Sequence, residues 1–294
     1  MRVIITIPAY NEEKTLPGVL EDIKRVMKKT SYQWSVQVVD DGSSDKTAEK
    51  AKEQDVVVYK NSRNIGLAET FKKEIQYCLA KGADVIVHTD ADGQYDPEGI
   101  PALIKKIEEG YDLVLGSRFM QGNYKGSVLK NFGNRLFSLT LSQLMKAKVT
   151  DTTTGFRAFT KEVASEINFI NTFTYTQEQI IKAAKMRFKI GEVSIKTKET
   201  RESRLFRNPA EYAFKAWVNI LRILRDFNPL KFFGSIGIAM IILGVLVGSG
   251  LIIAFLQGVT DIDSHIPTLL LAMLLFTTGL QILLFGFLAD KNER

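Results

Sequence analysis

The chain has one cysteine, Cys78, and two histidines, His88 and His265, among its 294 residues. A lone cysteine excludes an internal disulfide and fits a reducing compartment. So few imidazole and thiol groups also speak against a zinc site, which draws on both. Glycine-rich phosphate loops are absent. No Gly-x-Gly-x-x-Gly follows the first apolar run, and no Gly-x-x-x-x-Gly-Lys-Ser/Thr occurs anywhere. Neither a dinucleotide-binding turn nor a P-loop is therefore supported, and a Gly-x-Ser-x-Gly nucleophile elbow is missing too.

Charge is lacking in two long runs near the end. Phe232 to Leu256 and Ile266 to Ala289 contain 25 and 24 residues without Asp, Glu, Lys or Arg. At about 1.5 Å per residue each can cross a hydrocarbon core of about 30 Å, so both read as transmembrane helices. Arg222, Arg225 and Lys231 precede the first run, and Lys291 and Arg294 follow the second. The loop from Gln257 to His265 carries Asp261 and Asp263 but no Lys or Arg. The expectation is a two-span protein of the cell membrane with both termini and the main domain cytoplasmic. Met1-Arg2 leads straight into a strand-like run, which argues against a cleaved signal peptide. The net charge of +6 finds no nucleic-acid motif to serve, and its basic residues gather near the apolar runs. Anionic headgroups or a lipid phosphate fit it better than nucleic acid.

What is present before these runs is an alternation of strand and helix. Val3 to Ile7, Val36 to Val39, Val56 to Tyr59, Val85 to Val87 and Leu113 to Leu115 are short apolar runs suited to buried strands. Leu16, Leu20, Ile23 and Met27 recur on one helical face, and further helices are expected near Lys46 to Gln54, Ala68 to Ala80 and Pro97 to Glu109. This order specifies an α/β fold, a mostly parallel, Rossmann-like sheet with helices on both faces. In such sheets a ligand sits beyond the carboxyl ends of the strands.

Polar loops fall at those ends. Pro8-Ala9-Tyr10-Asn11-Glu12 closes the first strand, Asp40-Asp41-Gly42-Ser43 the second, and Asp90-Ala91-Asp92-Gly93-Gln94 a later one. Asp45 or Ser44 also reads as a helix N-cap. Without a glycine-rich loop, phosphate charge needs another counterweight. A divalent cation held by Asp90 or Asp92 supplies it, since magnesium favours one or two carboxylates together with phosphate oxygens and water.

These loops, with Asn64-Ile65-Gly66, Tyr95-Asp96-Pro97, Gly116-Ser117-Arg118 and Asp151-Thr152-Thr153-Thr154-Gly155-Phe156-Arg157, resemble in order and spacing the family 2 glycosyltransferases. The series is similar to their dolichyl-phosphate mannose synthase branch, and the two-span tail resembles that of bacterial polyprenyl-phosphate glucosyltransferases. The resemblance covers roughly residues 1 to 205 and implies a GT-A type nucleotide-sugar domain. It implies that Pro8, Tyr10, Glu12, Asp41 and Asp90 cradle the base and ribose of the donor. Asp92, with Asp90 and Gln94, would position Mg2+ or Mn2+ on the diphosphate. Such a cation stabilises the charge that grows on the leaving nucleoside diphosphate. The implied reaction moves a sugar, with inversion, onto dolichyl or another polyprenyl phosphate, for glycan assembly such as protein glycosylation. Gly93, where mannose synthases more often carry Leu, favours UDP-glucose or UDP-N-acetylglucosamine over GDP-mannose.

A sugar hydroxyl as acceptor would need a general base, for which Asp151 is the candidate. A lipid phosphate is already anionic and needs cations instead. Arg118, Arg135, Arg157, Arg201 and Arg204 are the candidates, because the guanidinium fork grips phosphate through two hydrogen bonds. The candidate catalytic set is accordingly Asp92, Arg118, Asp151 and Arg157. The sequence departs from many relatives at Glu199-Thr200-Arg201-Glu202-Ser203-Arg204, where they carry Arg-x-Gly-x-Ser-Lys, so which arginine grips the phosphate stays open. A processive synthase with a hydroxyl acceptor is disfavoured, since two spans are few for a channel and the Gln-x-x-Arg-Trp segment is absent.

Two stretches suit a membrane surface. Ala213, Trp217, Ile220, Leu224 and Phe227 recur at helical steps after Asn208-Pro209, and Val128 to Met145 pairs an apolar face with Lys130 and Arg135. The expected organisation is a catalytic domain over 1–205, an amphipathic juxtamembrane helix over 206–231 and a two-helix anchor over 232–294. The expected partners are a nucleotide sugar, a polyprenyl or dolichyl phosphate and membrane lipids, with a homo-oligomer left open.

Overall fold

Val3, Ile4, Ile5, Thr6 and Ile7 are buried on both faces of a strand, a pattern that requires helices above and below the sheet. That strand, β1 (Arg2–Ala9), lies in a computed structural model that describes residues 1–120, 149–166, 175–198, 218, 221–222, 225, 228–261 and 263–291. The chain divides into two compact units, Met1–Pro209 and Ala210–Arg294.

In the first unit β1 is followed by α1 (Leu16–Met27), β2 (Gln33–Asp40), α2 (Thr47–Lys52), β3 (Val57–Lys60), α3 (Leu67–Ala80) and β4 (Val85–His88). A 3-10 turn at Pro97–Gly99 then leads into α4 (Ile100–Glu108) and β5 (Leu113–Ser117). Beyond these come β6 (Arg157–Thr160), α5 (Lys161–Glu166), α6 (Tyr175–Lys185) and β7 (Ile190–Ser194). The sheet order is β3-β2-β1-β4-β6-β5-β7. Leu16, Leu20 and Ile23 of α1 and Leu103 and Ile104 of α4 pack with Val3, Ile5 and Ile7 on one face. Phe71 and Ile75 of α3 and Ile180 of α6 pack with Ile4 and Ile86 on the other.

The α/β, mostly parallel sheet is as expected, and the structure adds one strand that runs the other way. β6 runs antiparallel between β4 and β5, while every other pairing is parallel. Neither β6 nor β7 stands out in the sequence, because Arg157-Ala158-Phe159-Thr160 and Ile190-Gly191-Glu192-Val193-Ser194 lack a continuous apolar run. The reversal has a consequence for the site. β4 and β5 remain parallel, so their carboxyl ends share an edge with those of β1 and β2, and the residues entering β6 arrive at that same edge.

The second unit holds two helices long and apolar enough to cross a membrane, α7 (Pro229–Leu256) and α8 (Ile266–Lys291). They meet through small residues: a Cβ on Gly237 would lie 2.6 Å from the Gly279 carbonyl oxygen, and one on Gly244 2.8 Å from that of Ala272. Close backbone approach of this kind is how helices pack where no hydrophobic effect drives them together. Most of their Ile, Leu, Val and Phe side chains point outward, unlike the core helices of a water-soluble domain.

Candidate active site

The loops after β1 and β2 are tied into one wall. The Asn11 amide donates to Ser43 Oγ (2.9 Å), the Ser44 amide to Asn11 Oδ1 (3.0 Å), and the Glu12 amide to Thr47 Oγ1 (2.8 Å). Asp45 accepts from the Thr47 amide at 3.0 Å, but the N-cap of α2 is Lys46, without a side-chain cap bond, so neither Asp45 nor Ser44 is the N-cap expected from the sequence. Pro8 and Glu12 are buried here, whereas Tyr10 stands 45% exposed at the rim. Glu12 Oε2 accepts from Thr15 Oγ1 at 2.7 Å. Gly42, at φ +72°, has no alternative, since a Cβ would lie 2.4 Å from the backbone of Arg63.

Asp41 builds the next wall. Its Oδ1 accepts from Asn61 Nδ2 and the Ile65 amide, and its Oδ2 from the Gly66 amide, each at 2.9 Å. The Asn64-Ile65-Gly66 turn is thereby held against the end of β2. Asp41 is buried and directs both carboxylate oxygens to this turn.

At the end of β4, Asp90 and Asp92 are half-buried with Gln94 beside them. Asp92 Oδ1 accepts from the Gln94 amide at 2.9 Å, closing a turn that Gly93 completes at φ +74°. Loss of solvation raises the Asp90 pKa; His88 and Arg157 pull it down, whereas Asp92 and Glu74 push it further up. Among the described residues no Lys or Arg lies within salt-bridge distance of Asp90 or Asp92, and no group of three or more His, Cys, Asp or Glu side chains is arranged to hold a metal ion by itself. Two neighbouring carboxylates without a counterion fit a divalent cation that completes its shell with phosphate oxygens and water.

Asp90 rests on Gly155, where a Cβ would fall 2.9 Å from Oδ2 and 3.0 Å from Oδ1. That glycine is pinned on both sides. Its amide donates to Tyr95 Oη (3.0 Å), and its carbonyl accepts from His88 Nδ1 (2.7 Å). Tyr95 stacks on Phe156 with centroids 5.3 Å apart, and burial pushes its phenol up to about 12.

The loop after β5 brings the basic candidates into view. Arg118 forks onto Asp151, Nε to Oδ2 at 2.6 Å and Nη2 to Oδ1 at 2.9 Å, and Nη2 also reaches Thr153 Oγ1 at 2.8 Å. Asp151, the candidate general base for a hydroxyl acceptor, is wholly buried and accepts the Arg118 fork. Arg157 is the next candidate. It is fully buried, with Nη1 donating to the Thr176 carbonyl (3.0 Å) and Gln179 Oε1 (2.9 Å), and Nη2 to the Thr154 carbonyl. A guanidinium so enclosed ties β6 to α6. Arg135, Arg201 and Arg204, the 199–204 loop, Val128 to Met145 and most of the 206–227 stretch lie outside the described residues.

Sequence reasoning does not single out Glu192. On β7, its Oε1 accepts from the amides of Thr150 (2.8 Å) and Asp151 (3.1 Å), so it holds the carboxylate that holds Arg118. Burial raises its pKa against those hydrogen bonds. A single Glu in a weak strand gives no pattern to find.

With this geometry in place, comparison with known proteins gives a consistent answer. The model of the glycosyl transferase family 2 matches residues 4–167. A dolichyl-phosphate hexose transferase of Haloferax volcanii is 34% identical over 66% of this chain and 82% of its own. A UDP-N-acetylglucosamine–dolichyl-phosphate N-acetylglucosaminyltransferase of Methanococcus voltae is 30% identical over 75% of this chain and 95% of its own. Among solved structures, glucosyl-3-phosphoglycerate synthase of Mycobacterium tuberculosis, crystallised with Mn2+, UDP and glucosyl-3-phosphoglycerate, superposes with a TM-score of 0.60. That match is 20% identical and spans 76% of this chain and 78% of the other, a likeness of fold. A sheet with paired acidic residues beyond its strand ends, a family match over more than half of the chain and relatives aligned over most of their length make this chain a member of glycosyl transferase family 2.

Proposed function

We propose that this glycosyltransferase moves a sugar from a nucleotide-sugar donor to dolichyl or another polyprenyl phosphate at a membrane face. The observation that carries the reading is the alignment with two relatives named for dolichyl phosphate, over 82% and 95% of their own lengths. UDP-glucose and UDP-N-acetylglucosamine are the favoured donors, on the Gly93 position and the name of the Methanococcus relative.

Pro8, Tyr10, Glu12, Asp41 and Asp90 would cradle the base and ribose of the donor, with Tyr10, 45% exposed, offering a ring for the base to stack on. Asp90, Asp92 and Gln94 would hold Mg2+ or Mn2+, which offsets charge building on the departing diphosphate. An oxygen of the lipid phosphate attacks the anomeric carbon as its bond to the nucleoside diphosphate breaks, so configuration inverts. Arg118, fixed by Asp151 and Thr153, supplies a cation at the same edge of the sheet for the acceptor. No base is needed, which agrees with Asp151 being sealed in its fork. The apolar helices α7 and α8 anchor the protein, with both termini and the catalytic unit cytoplasmic by the distribution of Lys and Arg.

The test is to incubate membranes containing the full-length protein with labelled nucleotide sugars and a polyprenyl phosphate, and to identify the lipid product. The expected product is a metal-dependent glycosyl phospholipid of inverted anomeric configuration, lost in Asp92→Asn with the fold retained. Wild-type turnover by that variant, or transfer to a sugar hydroxyl alone, would overturn the reading.

A further inference from the structure

Behind Asp90 lies a row of buried polar groups that the reaction does not use directly. Gln37, Thr6, His88 and Arg157 are register partners across β2, β1, β4 and β6, so their side chains share one face of the sheet. Glu74 of α3 descends onto that face. Thr6 Oγ1 donates to Glu74 Oε1 (2.8 Å), and Gln37 Nε2 donates to Thr6 Oγ1 and to the Glu74 carbonyl, both at 3.0 Å. Glu74 Oε2 faces His88 Nε2 at 3.4 Å, and both side chains are fully buried. On its other side the imidazole donates from Nδ1 to the Gly155 carbonyl at 2.7 Å. Phe71 meets the ring edge-on with centroids 4.9 Å apart, which fixes its plane.

A buried carboxylate and imidazole in a sheet otherwise packed with Val, Ile and Phe are a poor way to gain stability, because apolar side chains of similar volume do at least as well. What the polar row supplies is direction. It runs from β2 through α3 and ends on the carbonyl of the residue against which the Asp90 carboxylate lies. We propose that His88, oriented by Glu74, is a positioning residue that fixes Gly155 and so sets the Asp90 carboxylate for the metal–nucleotide complex. This inference rests on the reading that Asp90 and Asp92 carry the cation. A hydrogen-bonded group behind a metal ligand commonly changes metal affinity by about 10- to 100-fold when removed.

The experiment measures Mn2+ binding to the full-length protein by electron paramagnetic resonance, with and without UDP, beside thermal stability and kcat. His88→Leu removes the donor, His88→Gln keeps a polar group directed at Glu74, and His88→Asn keeps an amide donor close to the Nδ1 position. The expected result is Mn2+ affinity lowered about tenfold in His88→Leu and His88→Gln, with His88→Asn within about twofold of wild type and metal-free UDP binding unchanged in all three. Unaltered Mn2+ affinity in His88→Gln would overturn the proposal. Equal loss in all three variants, following their loss of thermal stability, would also overturn it and leave His88 a core residue only. Asp92→Asn is the control for the underlying reading: wild-type Mn2+ binding in that variant would remove the cation site itself.

Discussion

At the scale of single residues, the site is governed by groups that never face the crevice directly. Gly155 is the sharpest example, because any side chain there collides with both oxygens of Asp90. Gly155→Ala is expected to displace the carboxylate and lower kcat/KM about 100-fold while the protein still folds, as steady-state kinetics and circular dichroism will check. Asp151→Asn breaks the fork on Arg118 and leaves a guanidinium only 12% exposed without its counterion. A loss of about 3 kcal/mol in the unfolding free energy is expected, measured by denaturant titration. Arg157→Leu strands the carbonyls of Thr154 and Thr176 and is expected to cost a similar amount, about 3 kcal/mol, by the same measurement. The roles of Asp151 and Arg157 are hidden in the sequence for one reason. A motif gives spacing along the chain, whereas burial depends on which strand the motif enters.

At the scale of elements, the parallel half of the sheet is legible because its strands are short apolar runs covered on both faces. The runs in β1, β2, β4 and β5 announce themselves; β6 does not, since a strand beginning with Arg looks like a loop. Its antiparallel insertion still decides the site, for it carries Gly155 to Asp90 and Arg157 to His88. The helix pair α7 and α8 is legible as two apolar runs, but not as a packed hairpin. Its contact is made where Gly237 and Gly279 leave room for backbone on backbone. Gly237→Val is expected to lower the thermal stability of the detergent-solubilised protein, whereas Gly250→Val, with nothing within 4 Å, leaves it unchanged.

At the scale of the whole molecule, the two units are joined in one chain of opposite solvent preferences. The exposed Leu, Ile, Val and Phe of α7 and α8 form a surface that water disfavours, which assigns this unit to a bilayer under the proposed function. The full-length protein is expected to sediment with membranes and to be released by detergent but not by high salt, since salt screens only the electrostatic part of membrane binding. A cysteine placed at Thr260, between the helices, is expected to react with an impermeant maleimide from outside intact cells. The same reagent is expected to spare Cys78, which is buried in the catalytic unit.

The sequence by itself determined the class of fold, the two apolar helices, the edge of the sheet where the polar loops gather and the acidic pair Asp90 and Asp92. Each of these follows from local periodicity, composition or a short motif, which a linear chain records directly. Tertiary structure alone decided that Asp41 holds a distant turn, that Asp151 is sealed against Arg118, that Arg157 is a core residue, and that Glu74 and His88 stand behind Asp90. These depend on contacts between groups 14 to 67 positions apart, and no pattern along the chain encodes which strand will lie beside which.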